Sequence, residues 1–421
     1  MPEKFVIYGG KQLKGEIEAK GSKNSAFPIL AATLLTDDVC RISNIPLIED
    51  VFRMVEILRS MGSDISWEDQ RTLKISNANI SQSKIREDLV GWLRGSVLFI
   101  GPLLARFGKI DFPPPGGCVI GARPIDTHLD GFAQLGVRIS KREGKYLMDI
   151  NKQLGGQVVL NEISVTATEN IMLFAALTPQ KTVIKVADQD YQVQELIQFL
   201  QKMGVGIRTT APHVFEITGS ETLKGADHIL SPDPIEAGTF IAMAAVGGGE
   251  VLVKNVATSF LEIELKKLKN FGVRLEIVNN NEVKISPGKT LKIDVLQSLP
   301  YPGFHSDLLS AFGVLATQSA GSTLIHDPLY EGRLKYLEEL NKMGAEIYFA
   351  DPHRAIVNGP TQLYGRELKS LDLRGGAALV IAGLIAEGQT TIDNIYQIDR
   401  GYEKIEERLQ KLGADIKRVS I

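Results

Sequence analysis

The hydrophobic pattern of the chain repeats six times. In each copy, a helix-like stretch ends in an apolar residue and a glycine, and an apolar residue follows three positions after the glycine. Glycine directly after a helix is typical of a left-handed C-terminal residue, and the alternation that follows predicts a strand. The glycines lie 68 to 74 residues apart and are Gly62, Gly136, Gly204, Gly272, Gly344 and Gly413.

A second pattern alternates with the first. It consists of a nearly all-apolar helix, a polar turn and a short strand, as at residues 26–35 with 40–42 and at residues 377–385 with 391–393. A helix that is apolar on all sides is typical of a buried position. The two patterns together predict a unit of about 70 residues used six times. The other four buried helices are predicted to begin near Ser96, Asn170, Thr239 and Leu308.

Six such units predict an α/β fold of two inside-out domains. Each domain would contain three repeated units, with buried helices inside and sheets outside. Residues 22–230 would form the N-terminal domain, and residues 1–21 with 231–421 the C-terminal domain, because the strand-like start of the chain has no buried helix of its own. Proline and glycine near both crossings suit hinges. We expect the active site in the cleft between the domains.

Composition narrows the class of protein. A length of 421 residues fits two or three domains, and 44% apolar with 23% charged residues is globular. The net charge of -3 argues against a general nucleic-acid surface, but local anion sites remain open. The first five residues lack the apolar core of a signal peptide, and the longest apolar runs reach about half a membrane span. With two cysteines and six scattered histidines, we expect a cytoplasmic protein without disulfides, zinc or membrane association.

Charged residues lie at the predicted starts of the buried helices. A helix N-terminus presents free N–H groups and a partial positive charge, so a cation there costs about 0.3–1 kcal/mol and needs another explanation. Lys23, Arg94 and Arg374 are therefore predicted to bind an anion, with simple solvation as the alternative. Asp307 would stay ionised at such an end and accept a hydrogen bond or a proton, with helix capping as the alternative.

Residues 113–124 read PPPGGCVIGARP and are predicted to form a loop. Three prolines stiffen one end and the glycines loosen the rest, and the loop is long enough to act as a lid. Cys118 is expected to be exposed in it, with Arg123 favouring the thiolate. The alternative for any lone cysteine is an inert small hydrophobe, which is the interpretation we prefer for Cys40 in its apolar strand.

Three segments resemble those of the UDP-N-acetylglucosamine enolpyruvyl transferases, also called UDP-N-acetylglucosamine 1-carboxyvinyltransferases, of the EPSP synthase superfamily. They are GSKNSA (21–26), GCVIGARPID (117–126) and IDRGYE (398–403). The resemblance covers essentially the whole chain and implies the inside-out fold. It also implies the first committed step of peptidoglycan precursor synthesis, in which the enolpyruvyl group of phosphoenolpyruvate passes to the 3-hydroxyl of UDP-N-acetylglucosamine and phosphate is released. No metal or other cofactor is implied.

The resemblance assigns roles to individual residues. Cys118 would be the general acid and could bond covalently to phosphoenolpyruvate, and Asp307 would be the general base near the sugar hydroxyl. Lys23 and Arg400 would belong to the catalytic set because they also stabilise charge on the leaving phosphate. The residues implied to hold phosphoenolpyruvate or the tetrahedral intermediate are Lys23, Asn24, Arg123, Arg374 and Arg400. Those implied to line the UDP-sugar site are Arg94, Arg123, Pro124, Ile125, Asp126, Thr127, Ser164, Val165, Asp307 and Leu329.

Four places depart from the pattern of these enzymes. Thr166 stands where Ser-Val is usually followed by Gly, and Glu162 stands where Lys is common. Pro234 replaces the Arg of Asp-Arg-Ile-Glu, and residues 189–192 read QDYQ in place of Arg-Glu-Pro-Glu. All four lie away from the phosphoenolpyruvate residues, and the first two border the nucleotide part. They bear on the acceptor more than on the chemistry.

Two alternatives therefore stay open. One is a paralogue with the same chemistry and another nucleotide sugar or alcohol as acceptor. The other is a non-catalytic sugar-nucleotide sensor, which would have no reason to keep Cys118, Asp307 and Arg400 together. The shikimate-phosphate enzyme lacks the Cys118 loop, and RNA-end cyclases are disfavoured by the acidic net charge. The sequence leaves the oligomeric state open.

Overall fold

The structure is a computed structural model that describes residues 3–117, 120–121, 123–150, 155–288 and 290–420. By internal contacts the chain divides into two compact units. The N-terminal unit consists of Gly21–Cys118 and Arg123–Ser231. The C-terminal unit consists of Met1–Lys20, Val119–Ala122 and Pro232–Ile421.

Helices and strands alternate along the chain. The first strands, β1 (Glu3–Tyr8) and β2 (Gly15–Glu18), belong to the C-terminal unit, and the chain then enters the N-terminal unit. The N-terminal unit continues with α1 (Lys23–Ala32), β3 (Cys40–Ser43), α2 (Glu49–Met61), β4 (Asp64–Trp67), β5 (Leu73–Ser76), α3 (Glu87–Trp92), α4 (Ile100–Phe107), β6 (Lys109–Phe112), α5 (Asp126–Gln134), β7 (Val137–Arg142), β8 (Lys145–Ile150), β9 (Gly156–Val159), α6 (Val165–Ala175), β10 (Lys181–Lys185), α7 (Tyr191–Met203), β11 (Gly206–Ala211), β12 (Val214–Thr218) and β13 (Asp227–Ile229).

The remaining elements belong to the C-terminal unit. They are α8 (Pro234–Val246), β14 (Val251–Lys254), α9 (Glu262–Asn270), β15 (Arg274–Asn279), β16 (Glu282–Ser286), β17 (Val295–Gln297), α10 (Ser306–Thr317), β18 (Gly321–His326), α11 (Tyr336–Lys342), β19 (Glu346–Asp351), β20 (Arg354–Gly359), β21 (Glu367–Lys369), α12 (Leu373–Ile385), β22 (Gln389–Asp393), α13 (Tyr396–Asp399), α14 (Ile405–Gln410) and β23 (Asp415–Ser420).

The described strands form three small sheets in each unit. In the N-terminal unit the strand orders are β13-β3-β5-β4, β6-β8-β7 and β11-β12-β10-β9. In the C-terminal unit they are β15-β16-β14-β2, β17-β18-β20-β19 and β21-β22-β1-β23. Each four-stranded sheet has one parallel pair and is otherwise antiparallel. Strand β1 lies between β22 and β23, so the start of the chain is paired with its end.

The core of each unit is made of helices that are buried on all sides. In the C-terminal unit α8, α10 and α12 pack against one another, and every residue of α10 except Asp307 is buried. In the N-terminal unit α1 and α6 are buried over nearly their whole length, and α4 is buried over its first five residues, Ile100 to Leu104. The predicted fold class, α/β with buried helices and outer sheets repeated three times in each unit, is thereby confirmed.

Local predictions can be compared in the same way. All six repeat glycines have positive φ, between 84° and 109°, and each is followed by a strand, so the interpretation as left-handed helix ends is confirmed. The helix predicted near Ser96 differs, because Arg94–Phe99 is a 3-10 helix and α4 begins only at Ile100. No side chain caps this 3-10 helix, whereas Ser22 and Ser164 cap α1 and α6.

Candidate active site

Asp307 lies in the first turn of α10 and is held between two arginines. Its Oδ1 accepts a hydrogen bond from Nη2 of Arg333 at 2.7 Å, and its Oδ2 accepts one from Nε of Arg374 at 3.1 Å. The helix is capped by His305, whose Nδ1 accepts from the main-chain N–H of Asp307. Capping is therefore not what Asp307 does, and its carboxylate pairs with guanidinium groups instead.

Arg374 is the second residue of α12 and is buried, with 2% of its side chain exposed. Asp372 caps the helix by accepting from the N–H groups of Arg374 and Gly375. Burial opposes the charge, but Tyr402, Asp307 and Asp233 outweigh it, and the pKa of Arg374 is raised. The guanidinium lies 5.4 Å from the ring centroid of Tyr402, with which it interacts, and apart from Tyr402 its Nη1 and Nη2 have no hydrogen-bond partner among the described residues. Two buried N–H-bearing groups are thus available to an anion, and simple solvation does not explain this arginine.

Arg333 completes the cluster and was missed by sequence reasoning. Only 3% of its side chain is exposed, and Nε donates to Ser306 at 3.2 Å. Burial opposes its charge, but Asp307, Asp372 and Asp327 together raise its pKa. Arg333 lies in a 3-10 turn 26 residues after Asp307, and the local sequence EGRLK reads as an ordinary surface turn. No periodic signal marks it.

Arg400 directly follows the short helix α13 and is buried. Its Nη1 donates to Oε1 of Gln397 at 3.0 Å. The preceding residue, Asp399, accepts two hydrogen bonds from Arg418, at 2.7 and 2.9 Å. This bidentate pair fixes the main chain on which Arg400 is carried.

Cys118 lies outside the described residues, but its near neighbours in sequence are informative. The main-chain N–H of Gly332 donates to the carbonyl of Ile120 at 2.9 Å. A Cβ on Gly332 would lie 2.7 Å from the carbonyl carbon of Ile120, and a Cβ on Gly121 would lie 2.9 Å from Glu331. Residues 120–121 therefore lie against the turn that carries Arg333, the partner of Asp307.

In the N-terminal unit, Lys23 and Asn24 form the start of α1. Only 8% of Lys23 is exposed, and Asn24 is half-buried. The Lys23 ammonium lies 4.7 Å from the ring centroid of Phe27 and 3.9 Å from a carboxylate oxygen of Asp50. A buried ammonium requires such a counter-charge, so solvation is the wrong explanation for Lys23 as well. Asp50, on α2, was missed because only the tertiary structure brings it to α1.

Arg94 lies at both described ends of the cysteine loop. Its Nη2 donates to the carbonyl of Pro124 at 2.9 Å, and a Cβ on Gly117 would lie 2.7 Å from Arg94 Cβ. Arg123, which precedes Pro124, is partly exposed in the same unit. Arg94 thus contacts both described parts of the loop, and Arg123 lies in the second of them.

A neutral hydrogen-bonded network lies behind the start of α6. His128 is buried, and its Nδ1 accepts from the side-chain amide of Asn170 at 2.9 Å while Nε2 donates to Oγ1 of Thr166 at 3.1 Å. Burial, helped by the charge of Arg94, lowers the pKa of His128 to about 3. Neither His128 nor Asn170 was predicted, since a lone histidine on α5 carries no signal in the sequence.

The other predicted nucleotide-side residues are spread over short segments. Ser164 is the cap of α6, and its side chain accepts from the N–H of Ala167 at 3.4 Å. Oγ1 of Thr127 donates to Oε1 of Glu162 at 3.2 Å. In the C-terminal unit, Leu329 is exposed and its N–H donates to Asp327 at 2.8 Å. Exposed Pro124 and Asp126, buried Ile125, and half-buried Val165 complete the set.

Two general features of the described residues were also surveyed. No group of three or more His, Cys, Asp or Glu side chains within the described ranges is placed to hold a metal ion. None of the helices in those ranges combines the length and apolar character needed to cross a membrane. Cys40 is buried in β3, and its burial raises the pKa of the thiol.

Comparisons with known sequences give a family. The profile described as EPSP synthase (3-phosphoshikimate 1-carboxyvinyltransferase) matches residues 7–409. A UDP-N-acetylglucosamine 1-carboxyvinyltransferase of Halothermothrix orenii is 40% identical over 416 residues, covering 99% of both chains. One from Treponema denticola is 39% identical over 419 residues, covering 98% of both.

Comparisons with solved structures agree on the fold. The enolpyruvyl transferase NikO from Streptomyces tendae superposes with a TM-score of 0.90 at 24% identity, covering 100% of this chain and 99% of that one. An EPSP synthase from Acinetobacter baumannii gives a TM-score of 0.74 at 18% identity, covering 99% and 100%. At these identities the likeness concerns the fold alone.

Proposed function

The chain belongs to the UDP-N-acetylglucosamine 1-carboxyvinyltransferases within the EPSP synthase family of enolpyruvyl transferases, and we propose that it transfers the enolpyruvyl group of phosphoenolpyruvate to the 3-hydroxyl of UDP-N-acetylglucosamine. Phosphate is the second product. The reaction would supply the first committed precursor of peptidoglycan, from substrates that are found in the cytoplasm.

The observation that carries this proposal is the cluster around Asp307. An ionised carboxylate lies between two buried guanidinium groups, and Arg374 still has two N–H-bearing groups to offer. Such a site suits a substrate that has both a hydroxyl and an anionic partner close to it. A carboxylate bound by two arginines is a weak base, so Asp307 would take the hydroxyl proton only as the new C–O bond forms.

The chemistry balances as an addition followed by an elimination. The 3-hydroxyl oxygen bonds to C2 of phosphoenolpyruvate, Asp307 accepts the hydroxyl proton, and Cys118 donates a proton to C3. The tetrahedral intermediate then loses a proton from C3 to the Cys118 thiolate and breaks its C2–O bond to phosphate, which takes up the proton held by Asp307. The enolpyruvyl ether and inorganic phosphate are the products, and no redox partner is needed.

The basic residues would bind phosphoenolpyruvate and stabilise the departing phosphate. Lys23, Arg123 and Arg400 take this role, with Arg374 assisting and Asn24 holding the intermediate. Burial supports the assignment for Lys23 and Arg400, because charged side chains that are held away from water act more strongly on a bound anion.

One observation favours a second candidate function with the same chemistry and another acceptor. Glu162 places a carboxylate beside Thr127, in the segment implied to line the nucleotide. A negative charge there works against binding of a diphosphate. Glu162 therefore favours an acceptor with less negative charge than UDP-N-acetylglucosamine.

Phosphate release decides between these functions. The protein is incubated with phosphoenolpyruvate and, separately, with UDP-N-acetylglucosamine, other nucleotide sugars, UMP and uridine. We expect phosphate release to be fastest with UDP-N-acetylglucosamine. Faster release with an acceptor of lower charge would select the second candidate. No release with any acceptor, from protein shown to be folded, would reject both.

A further inference from the structure

One groove of the C-terminal unit lies apart from the residues discussed so far. It has a volume of about 980 Å³ and is bounded by α9 and by the hairpin between β15 and β16. Its lining is mixed, with Val256, Leu265 and Ile277 as apolar surface. None of its lining residues is among those proposed for enolpyruvyl transfer.

The repeats explain why the groove is open. In four of them, the main-chain N–H of a residue one or two positions after the end of a strand donates to the carbonyl of a residue in the following hairpin. These N–H···O pairs, at 2.8 to 3.0 Å, are Ile45 to Arg71, Ala187 to His213, Val256 to Asn281 and Asp327 to His353. The four hairpin residues therefore occupy equivalent positions.

In three repeats the side chain of this hairpin residue donates to the carbonyl of the same residue after the strand. It thereby fills the space between the strand end and the hairpin, which we call the corner. Arg71 Nη1 donates to the carbonyl of Ile45 at 3.2 Å, and His213 Nδ1 donates to that of Ala187 at 2.8 Å. His353 repeats the contact with Asp327 at 2.6 Å. Each corner therefore contains a planar, nitrogen-bearing group that donates to a main-chain carbonyl.

The fourth repeat has Asn281 at this position. Within the described residues, the Asn281 side chain makes no corresponding hydrogen bond to Val256, and Asn281 and Val256 both line the groove. The Val256 carbonyl accepts from the N–H of Thr258 at 2.9 Å, which leaves its second lone pair for another donor. The corner that its sister repeats fill with imidazole or guanidinium is thus open.

The rest of the lining adds charge and hydrogen-bonding groups. Lys266 and Lys269 lie one turn apart on α9, and neither has an ion pair among the described residues. Glu262 is the one acidic residue of the lining, so the groove is positive by one charge. Two further amides, those of Asn270 and Asn280, lie in the same lining.

We propose that this groove binds a mononucleotide-like ligand, in which a planar nitrogen heterocycle is joined to an anionic group. The heterocycle takes the corner beside Asn281, against Val256 and Ile277, and donates to the Val256 carbonyl. The anion lies toward Lys266 and Lys269. The volume of the groove is ample for a molecule of this class.

The test measures binding of AMP to the intact protein by isothermal titration calorimetry, with adenosine and inorganic phosphate titrated separately. We expect AMP to bind with a dissociation constant in the millimolar range or below. Its affinity should exceed that of adenosine and that of inorganic phosphate by about tenfold or more. Asn281→His should weaken AMP binding by about tenfold, because it fills the corner as His353 does in its own repeat. The double variant Lys266→Ala, Lys269→Ala should weaken AMP by a similar factor and adenosine by much less.

His213→Asn is the matched control, because it changes the equivalent corner in the other unit. We expect AMP to bind this variant as it binds the unsubstituted protein. AMP binding that survives Asn281→His unchanged would place the nucleotide elsewhere and overturn the proposal. Equal affinities for phosphate and AMP would mean that the heterocycle is not recognised, which contradicts the proposal. No binding of AMP would reject the site.

Discussion

The surroundings of Asp307 and those of His128 differ in charge: the first is an ion-pair cluster, and the second is a neutral hydrogen-bonded network. Around Asp307, two buried arginines form ion pairs, and neighbouring groups that include Asp307 raise the pKa of each guanidinium against the effect of burial. Around His128, a buried imidazole is neutral and is held by Asn170 and Thr166. The first arrangement presents charge to a reacting group, and the second fixes the shape of a surface. Substitutions should therefore affect turnover at the first and selectivity or stability at the second.

The largest effect is expected from Asp307→Asn. This change keeps the shape of the side chain but removes the charge between Arg333 and Arg374 and the proton acceptor. We expect kcat/KM to fall by about 10³-fold or more, while phosphoenolpyruvate still binds to the arginines. Steady-state phosphate release and a separate binding titration measure the two effects.

Asp307→Ala sharpens the same comparison. Asn keeps one oxygen that can accept from Arg333 or Arg374, whereas Ala keeps none, and a hydrogen bond lost by a buried charged group costs about 1.5–3 kcal/mol. Urea unfolding should therefore show Asp307→Ala to be less stable than Asp307→Asn. Near-normal turnover in Asp307→Asn would remove Asp307 as the base.

A smaller loss is expected from Gly332→Ala. The added Cβ would lie within 2.7 Å of the Ile120 main chain and must displace residues 120–121 from the turn that carries Arg333. We expect turnover to fall by about 10- to 100-fold, with slower alkylation of Cys118 by fosfomycin. Mass spectrometry after timed exposure to fosfomycin measures the alkylation.

Gly156→Ala is the control for this change, because a Cβ there meets nothing within 4 Å. Cys118→Ser gives the limiting case, with turnover sharply reduced and no alkylation. If Gly332→Ala alkylates and turns over like the unsubstituted protein, the position of residues 120–121 has no part in the reaction. A Cys118 that is not alkylated in the unsubstituted protein would contradict its proposed reactivity.

Next to the His128 network, Glu162→Lys should change the affinity for the acceptor substrate and not the rate of the chemical step. Exchanging a negative for a positive charge beside Thr127 is expected to lower KM for UDP-N-acetylglucosamine by about tenfold, with little change in kcat. The effect should shrink in high salt. Glu221→Lys, exposed in the same unit, is the matched control. A fall in kcat with KM unchanged would place Glu162 in the chemical step instead.

The smallest effect on turnover is expected for His128, whose titration affects stability. Its folded-state pKa of about 3 lies below the ordinary value of 6.5, so the unfolded chain binds the proton more readily. The neutral imidazole stabilises the fold fully above about pH 6.5, and this contribution is lost as the pH falls toward 3, by at most about 1.4 kcal/mol per pH unit. Unfolding measured from pH 4 to 8 should show a flatter profile for His128→Gln. Identical slopes would mean that His128 titrates normally.

The parts of the fold that the sequence predicts are those with local causes. The six glycines adopt left-handed backbone, which glycine favours. The sequences of α1, α10 and α12 are apolar on all sides, which predicts their burial. The 3-10 helix at Arg94–Phe99 was not foreseen, because helix propensity does not distinguish it from the first turn of α4.

The residues of the candidate site show the same difference between local and long-range causes. Asp307 and Arg374 were predicted from a charge at the start of an apolar helix, and the structure joins them at 3.1 Å. Arg333, Asp50 and His128 were missed because each acquires its partner from a different element, and nothing local in the sequence distinguishes them from surface residues. Long-range pairing of charges is information that only the tertiary structure contains.

The most direct test of the central claim is identification of the product by NMR and mass spectrometry. Phosphoenolpyruvate and UDP-N-acetylglucosamine are incubated with the protein and with Asp307→Asn. The account predicts an enolpyruvyl ether at the 3-hydroxyl of the sugar, formed in equal amount with inorganic phosphate, and almost none with the variant. An unmodified sugar nucleotide after long incubation with folded protein, or equal product from the variant, would contradict it.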